Sequence, residues 1–467
     1  MLRFWRSLSR YEKALIILFL LTIPFIHPQV SGDGVGYYAY ARSILIDHNL
    51  QFAGDWANPT KELLYIFLDG HLIRNPITKT GHLPNYWSVG PAMLWSPFLV
   101  AAHLAVLGVN RLGWHISADG RSWPYLLAMA SGTALYGFTG IFLSYRLALN
   151  YVQERWAFLA TLGIWLASSL PLYIYVHPSL SHPHSVFCTS LFLWYWLRTR
   201  GSRTNQQWVI LGLISGLMLD VRFDCVVFLL APLLESGAAY CAAWRDRQNA
   251  PQLLRSLSYA NVLYAAGVLV AFLPTMVTRQ IVFGSPFDFG MYTSQSWKWT
   301  TPAFLGVLFS SNHGLLVFTP ILVFALAGLF MLCRSTYPDG VTYLSITVAL
   351  YCLISFFPWW DSTVGLGNRY FLSLTPIFVV GLGVTFSRAV RIWRDSRAAT
   401  WRLGTITVLL VMWNLGLMYQ WSTYLMNVRG QVYWEEVLYN QFRVVPGQML
   451  KDLAERFLPE RAACAQK

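Results

Sequence analysis

The chain has 467 residues, 55% of them apolar and only 12% charged, with 21 Trp, 25 Tyr and 29 Phe. Apolar runs of this length exclude a soluble globular domain and define a polytopic membrane protein. The formal net charge of +13 fits basic cytoplasmic loops rather than a nucleic-acid surface, and six cysteines without paired spacing indicate neither a disulfide framework nor a metal cluster.

The first apolar segment, 13–28, follows Arg3, Arg6, Arg10 and Lys13 and leads into no small-residue cleavage site. It is expected to remain as a membrane helix with its N-terminus inside. Further spans are predicted at 123–145, 156–176, 184–197, 207–221, 225–243, 259–282, 313–333, 340–358, 370–387 and 403–425. The apolar stretch 89–109 is assigned to the interface or to a re-entrant segment. A crossing there would put five spans between the N-terminus and Arg198, Arg200 and Arg203, and the basic loops would no longer share a side. Eleven spans result, with the C-terminus outside. Asp220, Arg222 and Asp224 predict a break in the helix at the outer surface, and Glu235 is expected in the bundle interior.

This topology gives a membrane domain over 1–425 and a short outer-face tail over 426–467. It puts residues 29–122, 177–184, 283–313 and 359–369 on the outer side with the tail. The first of these loops is too long for a connector. It opens with Ser31-Gly32-Asp33-Gly34-Val35-Gly36-Tyr37-Tyr38, a carboxylate on a glycine-flanked turn directly after the first span. Glycines permit close approach of a substrate, and hydrocarbon beside the turn excludes water, which suits a general base. The same Asp33 also suits an N-cap of the helical run 37–46.

Several motifs in this order resemble a family. They are the acidic turn, Asn85-Tyr86-Trp87-Ser88-Val89-Gly90-Pro91-Ala92, Pro178-Ser179-Leu180-Ser181-His182, Leu211 to Leu217 leading to Arg222, and Phe283-Gly284-Ser285-Pro286. Leu308-Phe309-Ser310-Ser311-Asn312-His313-Gly314-Leu315 and Trp359-Trp360 through Gly367-Asn368-Arg369-Tyr370 complete the set. Over about residues 10–390 the chain is similar to the GT-C glycosyltransferases, nearest to the protein mannosyltransferase and aminoarabinose transferase group (glycosyltransferase family 39-like). The resemblance implies an all-α polytopic GT-C bundle whose long first outer loop contains interfacial helices. It also implies transfer of a sugar from a polyprenyl phosphate to a hydroxyl of a glycan, lipid or protein at the outer face. The family's catalytic aspartate falls on Asp33.

Such chemistry needs a base, an in-line acceptor and cations for the leaving phosphate. Arg222 and Arg369 are the first phosphate candidates, because guanidinium suits phosphate geometry. The alternatives are an ion pair of Arg222 with Asp220 or Asp224 and a snorkelling role for Arg369. Arg42, Lys61, Arg74 and Lys79 follow, each equally readable as a solvated or surface charge. Tyr37 and His82 join the substrate-binding candidates. His182 and His184 do so from a loop that also carries His177; Pro178 and Pro183 argue against a helical metal face there, so a metal is not indicated. The family often has an acid in this loop, which this chain lacks. Trp359 and Trp360, with Trp297 and Trp299, could stack on sugar rings or line a lipid groove, although interfacial belts also collect Trp. Phe309 to His313 reads as a re-entrant turn, which makes Asn312 and His313 candidates. No cofactor follows from the sequence, and the missing nucleotide loop points to a lipid-linked donor. The rival reading is a transporter or flippase of a lipid-linked sugar; no internal repeat supports it.

Overall fold

The structure is a computed structural model that describes residues 2–56, 77–246, 248–289, 297–362, 364–393, 396–428 and 430–457. Among these residues every regular element is helical. The first span is α1 (Arg10–Thr22), opened by a reciprocal Ser9/Glu12 capping box and extended by a turn of 3-10 helix over Ile23–Phe25. A short helix α2 (Gly34–Arg42) follows the acidic turn. Then come α3 (Gly90–Arg111), α4 (Trp123–Ala148), α5 (Glu154–Leu166), α6 (His182–Thr199) and α7 (Asn205–Val221). The second half contains α8 (Leu230–Arg245), α9 (Ala250–Phe283), α10 (Ile321–Ser335), α11 (Tyr337–Phe356), α12 (Thr375–Trp393) and α13 (Ser396–Ser422). Each of the eleven expected spans overlaps a helix, but α5 ends at Leu166 within the expected 156–176, the expected 313–333 opens in an irregular turn before α10, and among the described residues six of the eleven are long and apolar enough to cross. Several helices are long and apolar enough to cross a membrane, and the protein is an integral membrane protein.

Burial separates centre from periphery. In the stretch Arg369–Trp393, which ends in α12, 83% of the apolar window is buried, against 17% in α9, so α12 is central and α9 largely faces outward. Small residues let backbones touch: a Cβ at Gly328 would strike the Gly381 carbonyl, and Gly212 of α7 lies against Tyr264 and Gly267 of α9. Two buried ion pairs sit opposite the end that bears Asp33. Arg200 pairs with Asp339 at 2.5 Å, and Arg203 with Glu235 at 3.3 Å, with Trp196 Nε1 also donating to Glu235 at 2.6 Å. Glu235 is therefore tolerated inside the bundle because its charge is matched.

The stretch 89–109, expected as interfacial or re-entrant, forms the continuous helix α3, itself long and apolar enough to cross. It packs antiparallel along only the first half of α4: Trp95 Nε1 donates to Thr133 (2.8 Å) and His103 meets the Tyr125 hydroxyl (2.6 Å). Its first residue, Gly90, abuts the backbone of Asp220 and Val221. The helix thus starts at the level of the α7 break and does not run beside the second half of α4. The break itself falls where the charges predict it, with Arg222 in extended conformation between α7 and a 3-10 segment, Phe223–Leu229.

Candidate active site

Asp33 occupies the N-cap position of α2, but its side chain makes no capping hydrogen bond. Its Oδ2 instead accepts from Arg369 Nη2 at 2.8 Å, a partner 336 residues away. The pair keeps partial access, with side chains 24% and 14% exposed. Two neighbours and one glycine fix the turn. Ser31 N–H donates to Ser179 Oγ (3.1 Å), Ser31 Oγ meets His177 Nδ1 (2.9 Å), and Gly32 adopts φ +58°. Gly34 and Gly36 are glycines for space: Ser179 and the Trp87 ring stand where their Cβ atoms would be.

Arg222 faces the same end. It donates to Asp224 through Nη2 (2.6 Å) and Nε (3.0 Å), and its Nη1 reaches Ser181 Oγ (3.3 Å) and His182 Nδ1 (3.5 Å). The ion pair weighed from the sequence is present, yet it leaves Nη1 turned to the site. Ser181 also donates to the Tyr37 hydroxyl at 3.0 Å. Burial raises the Tyr37 phenol above its ordinary value, against the pull of Arg222, so it remains protonated. Tyr37, Arg222, Asp224, Ser88 and Tyr370 form the polar part of a cavity of about 380 Å³ whose other walls include Phe223, Phe272, Leu353 and Phe357. Tyr370 adjoins Arg369 in the chain, and Trp297 also lines this cavity. Asp33 and Arg369 do not line this cavity; both act electrostatically on Tyr37 and Tyr370 of its wall, so the ion pair adjoins the chamber behind these two tyrosines.

Not every sequence candidate is gathered there. Arg42 is closed into a cluster with Asp47 and Asp55, joined by Arg121, which explains its burial without any role at Asp33. His184 is wholly buried between Trp95 and Tyr136 at ring distances of 5.1 and 5.7 Å, and so packs α3 and α4 against α6. Lys79 and His82 lie in a turn that Thr80 ties to the Val282 carbonyl at the end of α9. Lys61 and Arg74 fall outside the described residues. Trp359 packs edge-on against Phe357, and Trp360 packs on Gly306; neither lines the cavity. His182 does adjoin the site, its ring tilted against that of Tyr173 at 4.9 Å. His313 lies within electrostatic reach of Arg369, in an irregular turn as expected.

Sequence reasoning missed Arg279. It is 1% exposed, and its guanidinium holds the carbonyls of Asn85, Tyr86 and Trp87 at 2.7–3.2 Å, so it anchors the motif that packs on Gly36. A lone charge in an apolar helix was the available signal.

This helical bundle, with an acidic turn after its first span and a break-borne arginine, shares its fold with solved structures at low sequence identity. The chain is similar to the Archaeoglobus fulgidus oligosaccharyltransferase solved with zinc and sulfate (TM-score 0.51, 16% identity, covering 87% of this chain and 53% of that one). It is also similar to the archaeal oligosaccharyltransferase AglB from the same organism, solved with an inhibitory peptide and a dolichol-phosphate (0.52, 14%, 95% and 59%). ArnT from Cupriavidus metallidurans in the apo state gives 0.49, 13%, 94% and 74%. The chain spans a little over half the length of the two archaeal chains. No protein-family model and no curated protein sequence matches it.

Proposed function

We propose that the protein is a glycosyltransferase that moves a sugar from a polyprenyl-phosphate donor to a hydroxyl acceptor at the outer face of a bacterial plasma membrane. The observation that carries this reading is the Asp33 carboxylate: it caps nothing, keeps access, and acts electrostatically on Tyr37 and Tyr370, which line a largely apolar cavity together with Arg222. Asp33 takes the proton of the acceptor hydroxyl as its oxygen attacks the anomeric carbon. The bond from that carbon to the phosphate oxygen breaks on the opposite face, which inverts the configuration and releases polyprenyl phosphate. Arg222 Nη1 and Arg369 balance the charge growing on the phosphate, and the apolar walls take the first isoprene units. Arg369 also orients Asp33 before the acceptor arrives. The dolichol-phosphate bound to the archaeal AglB supports a lipid-linked donor on this fold.

The test is sugar transfer by membranes containing wild type or Asp33→Asn, supplied with radiolabelled polyprenyl-phosphate sugars, with protein level and melting temperature measured in parallel. Loss of a general base predicts a fall of about 10²–10⁴ in rate with the fold retained. Unchanged transfer in the variant removes Asp33 from the chemistry. Absence of transfer by wild type with every donor and with acceptor-containing membranes favours the flippase reading.

A further inference from the structure

Beside Asp33, two segments carry polar atoms that are buried and without hydrogen-bond partners among the described residues. They are His313 Nδ1, from the turn Ser310–Gly314, and Ser362 Oγ, Asn368 Oδ1 and Arg369 Nε, from the loop that ends at Arg369. The segments meet. The His313 ring stacks on Phe318 at 5.5 Å, and a Cβ at Gly367 would lie 3.0 Å from the same side chain. Within the loop, a Cβ at Gly365 would lie 2.9 Å from Arg369 Cδ, 3.2 Å from Ser362 Cβ and 3.2 Å from the Tyr173 hydroxyl.

The backbone is strained at the same place. His313 has φ +70° and Ser362 φ +61°, a region in which side chains with a Cβ are disfavoured. The turn is held from outside by the C-terminal tail, where Val432 N–H donates to Asn312 Oδ1 (2.8 Å) and Trp434 Nε1 to the Ser311 carbonyl (3.2 Å). Strain and unsatisfied polar atoms both oppose folding, and their concentration near Asp33 marks a closed site held for a ligand, whose entry must part the contacts that now bury these atoms.

The donor and acceptor inventory narrows the ligand. Arg369 Nε–H only donates, Asn368 Oδ1 only accepts, and the Ser362 hydroxyl does both. Asn368 Nδ2 is committed to the Trp360 carbonyl at 2.9 Å, which fixes its oxygen as the end left over. A phosphate offers only acceptors and cannot satisfy Asn368 Oδ1, while an isoprenoid chain satisfies none of the four. Hydroxyls both donate and accept, and a sugar ring presents several at fixed spacing. We propose that His313, Ser362, Asn368 and Arg369 form a subsite for the hydroxyls of a sugar ring lying against Asp33. The inference rests on the glycosyl-transfer reading and adds where the saccharide sits.

The test uses the full chain in lipid nanodiscs and measures dissociation constants for three kinds of probe. These are bare citronellyl phosphate, citronellyl phosphate carrying mannose, glucose, galactose or 4-amino-arabinose, and the corresponding methyl glycosides. Ser362→Gly relieves the left-handed strain and removes only a hydroxymethyl group, so a merely structural role predicts equal or higher melting temperature and unaltered binding; His313→Gly relieves strain but also removes a buried ring stacked on Phe318, so a lower melting temperature is expected of it under either role. The subsite predicts that each variant weakens saccharide binding about fivefold, the worth of one hydrogen bond, and leaves bare-phosphate affinity intact, with the melting temperature retained in Ser362→Gly. Loss seen with the lipid-linked sugars places the donor's ring in the subsite; loss confined to methyl glycosides places a carbohydrate acceptor there. Unchanged saccharide binding in both variants overturns the inference. Wild type that binds lipid phosphate but no saccharide overturns the subsite alone, and wild type that binds none of the probes overturns the glycosyl-transfer reading as well.

Discussion

Gly34→Ala tests whether the geometry of the acidic turn, rather than the carboxylate alone, sets activity. The added methyl would lie 2.8 Å from the Ser179 carbonyl oxygen and closer still to Ser179 Cβ and Oγ, whereas ordinary contact begins at 3.4 Å. The backbone contact alone demands a displacement of about 0.6 Å, and the side-chain contacts increase it. Asp33 precedes this residue directly, so it moves with the turn and off Arg369 Nη2. A misplacement near 1 Å costs about 10²-fold in rate when groups must be in line, while overpacking of this kind costs about 1–3 kcal/mol of stability. Gly34→Ala is therefore expected to fold, to melt somewhat lower, and to transfer sugar about a hundredfold more slowly. Adding Ser179→Gly removes the side-chain clashes and keeps the carbonyl contact, but it also removes the Ser31–Ser179 hydrogen bonds that hold the turn, so the Ser179→Gly single variant is measured beside it and the two substitutions together are expected to cost less than the product of their separate losses. Initial rates from a polyprenyl-phosphate sugar, with melting temperatures in the same detergent, give the comparison. Wild-type transfer by Gly34→Ala, or losses in the double variant that multiply in full, refutes the positional argument.

Two further outcomes bear on the surrounding structure. Arg42→Ala leaves the Asp55 carboxylate, which is 6% exposed, with only Arg121 and Ser43 as partners beside Asp47, and is expected to destabilise the protein by up to about 3 kcal/mol; a melting temperature within error of wild type in detergent would show that the cluster is not structural. Burial, with His27 and Arg369 nearby, lowers His177 from its ordinary value to about 4. The unfolded chain takes up a proton near pH 6.5 that the folded chain refuses until about pH 4. The stability contributed by neutral His177 is thus complete above pH 6.5 and falls as the pH drops towards 4. Melting curves across that range should flatten for His177→Gln, and an unaltered pH slope in the variant would rule His177 out as the source.

What the sequence determined follows from local physics. Long apolar runs compel helices because lipid cannot satisfy a backbone, so each of the eleven expected spans overlaps a helix, although two of them, 156–176 and 313–333, are interrupted. Charges within such a run are costly at membrane depth, so Asp220, Arg222 and Asp224 announced the break after α7. The acidic turn was legible because glycines around a lone carboxylate are unusual directly after a span. The fate of that carboxylate was not legible, since a cap and a free base have the same local sequence; only the packing of the loop ending at Arg369 against α2 gave Asp33 a partner 336 residues away. The same held for other charges. Arg42, nine residues after Asp33, was drawn into a buried cluster by Asp47 and Asp55, and His184, two residues after His182, was turned into the α3–α4 contact. Tertiary structure decided these assignments because hydrogen bonds and ion pairs act over a few ångströms, and chain spacing does not determine which distant residues come that close.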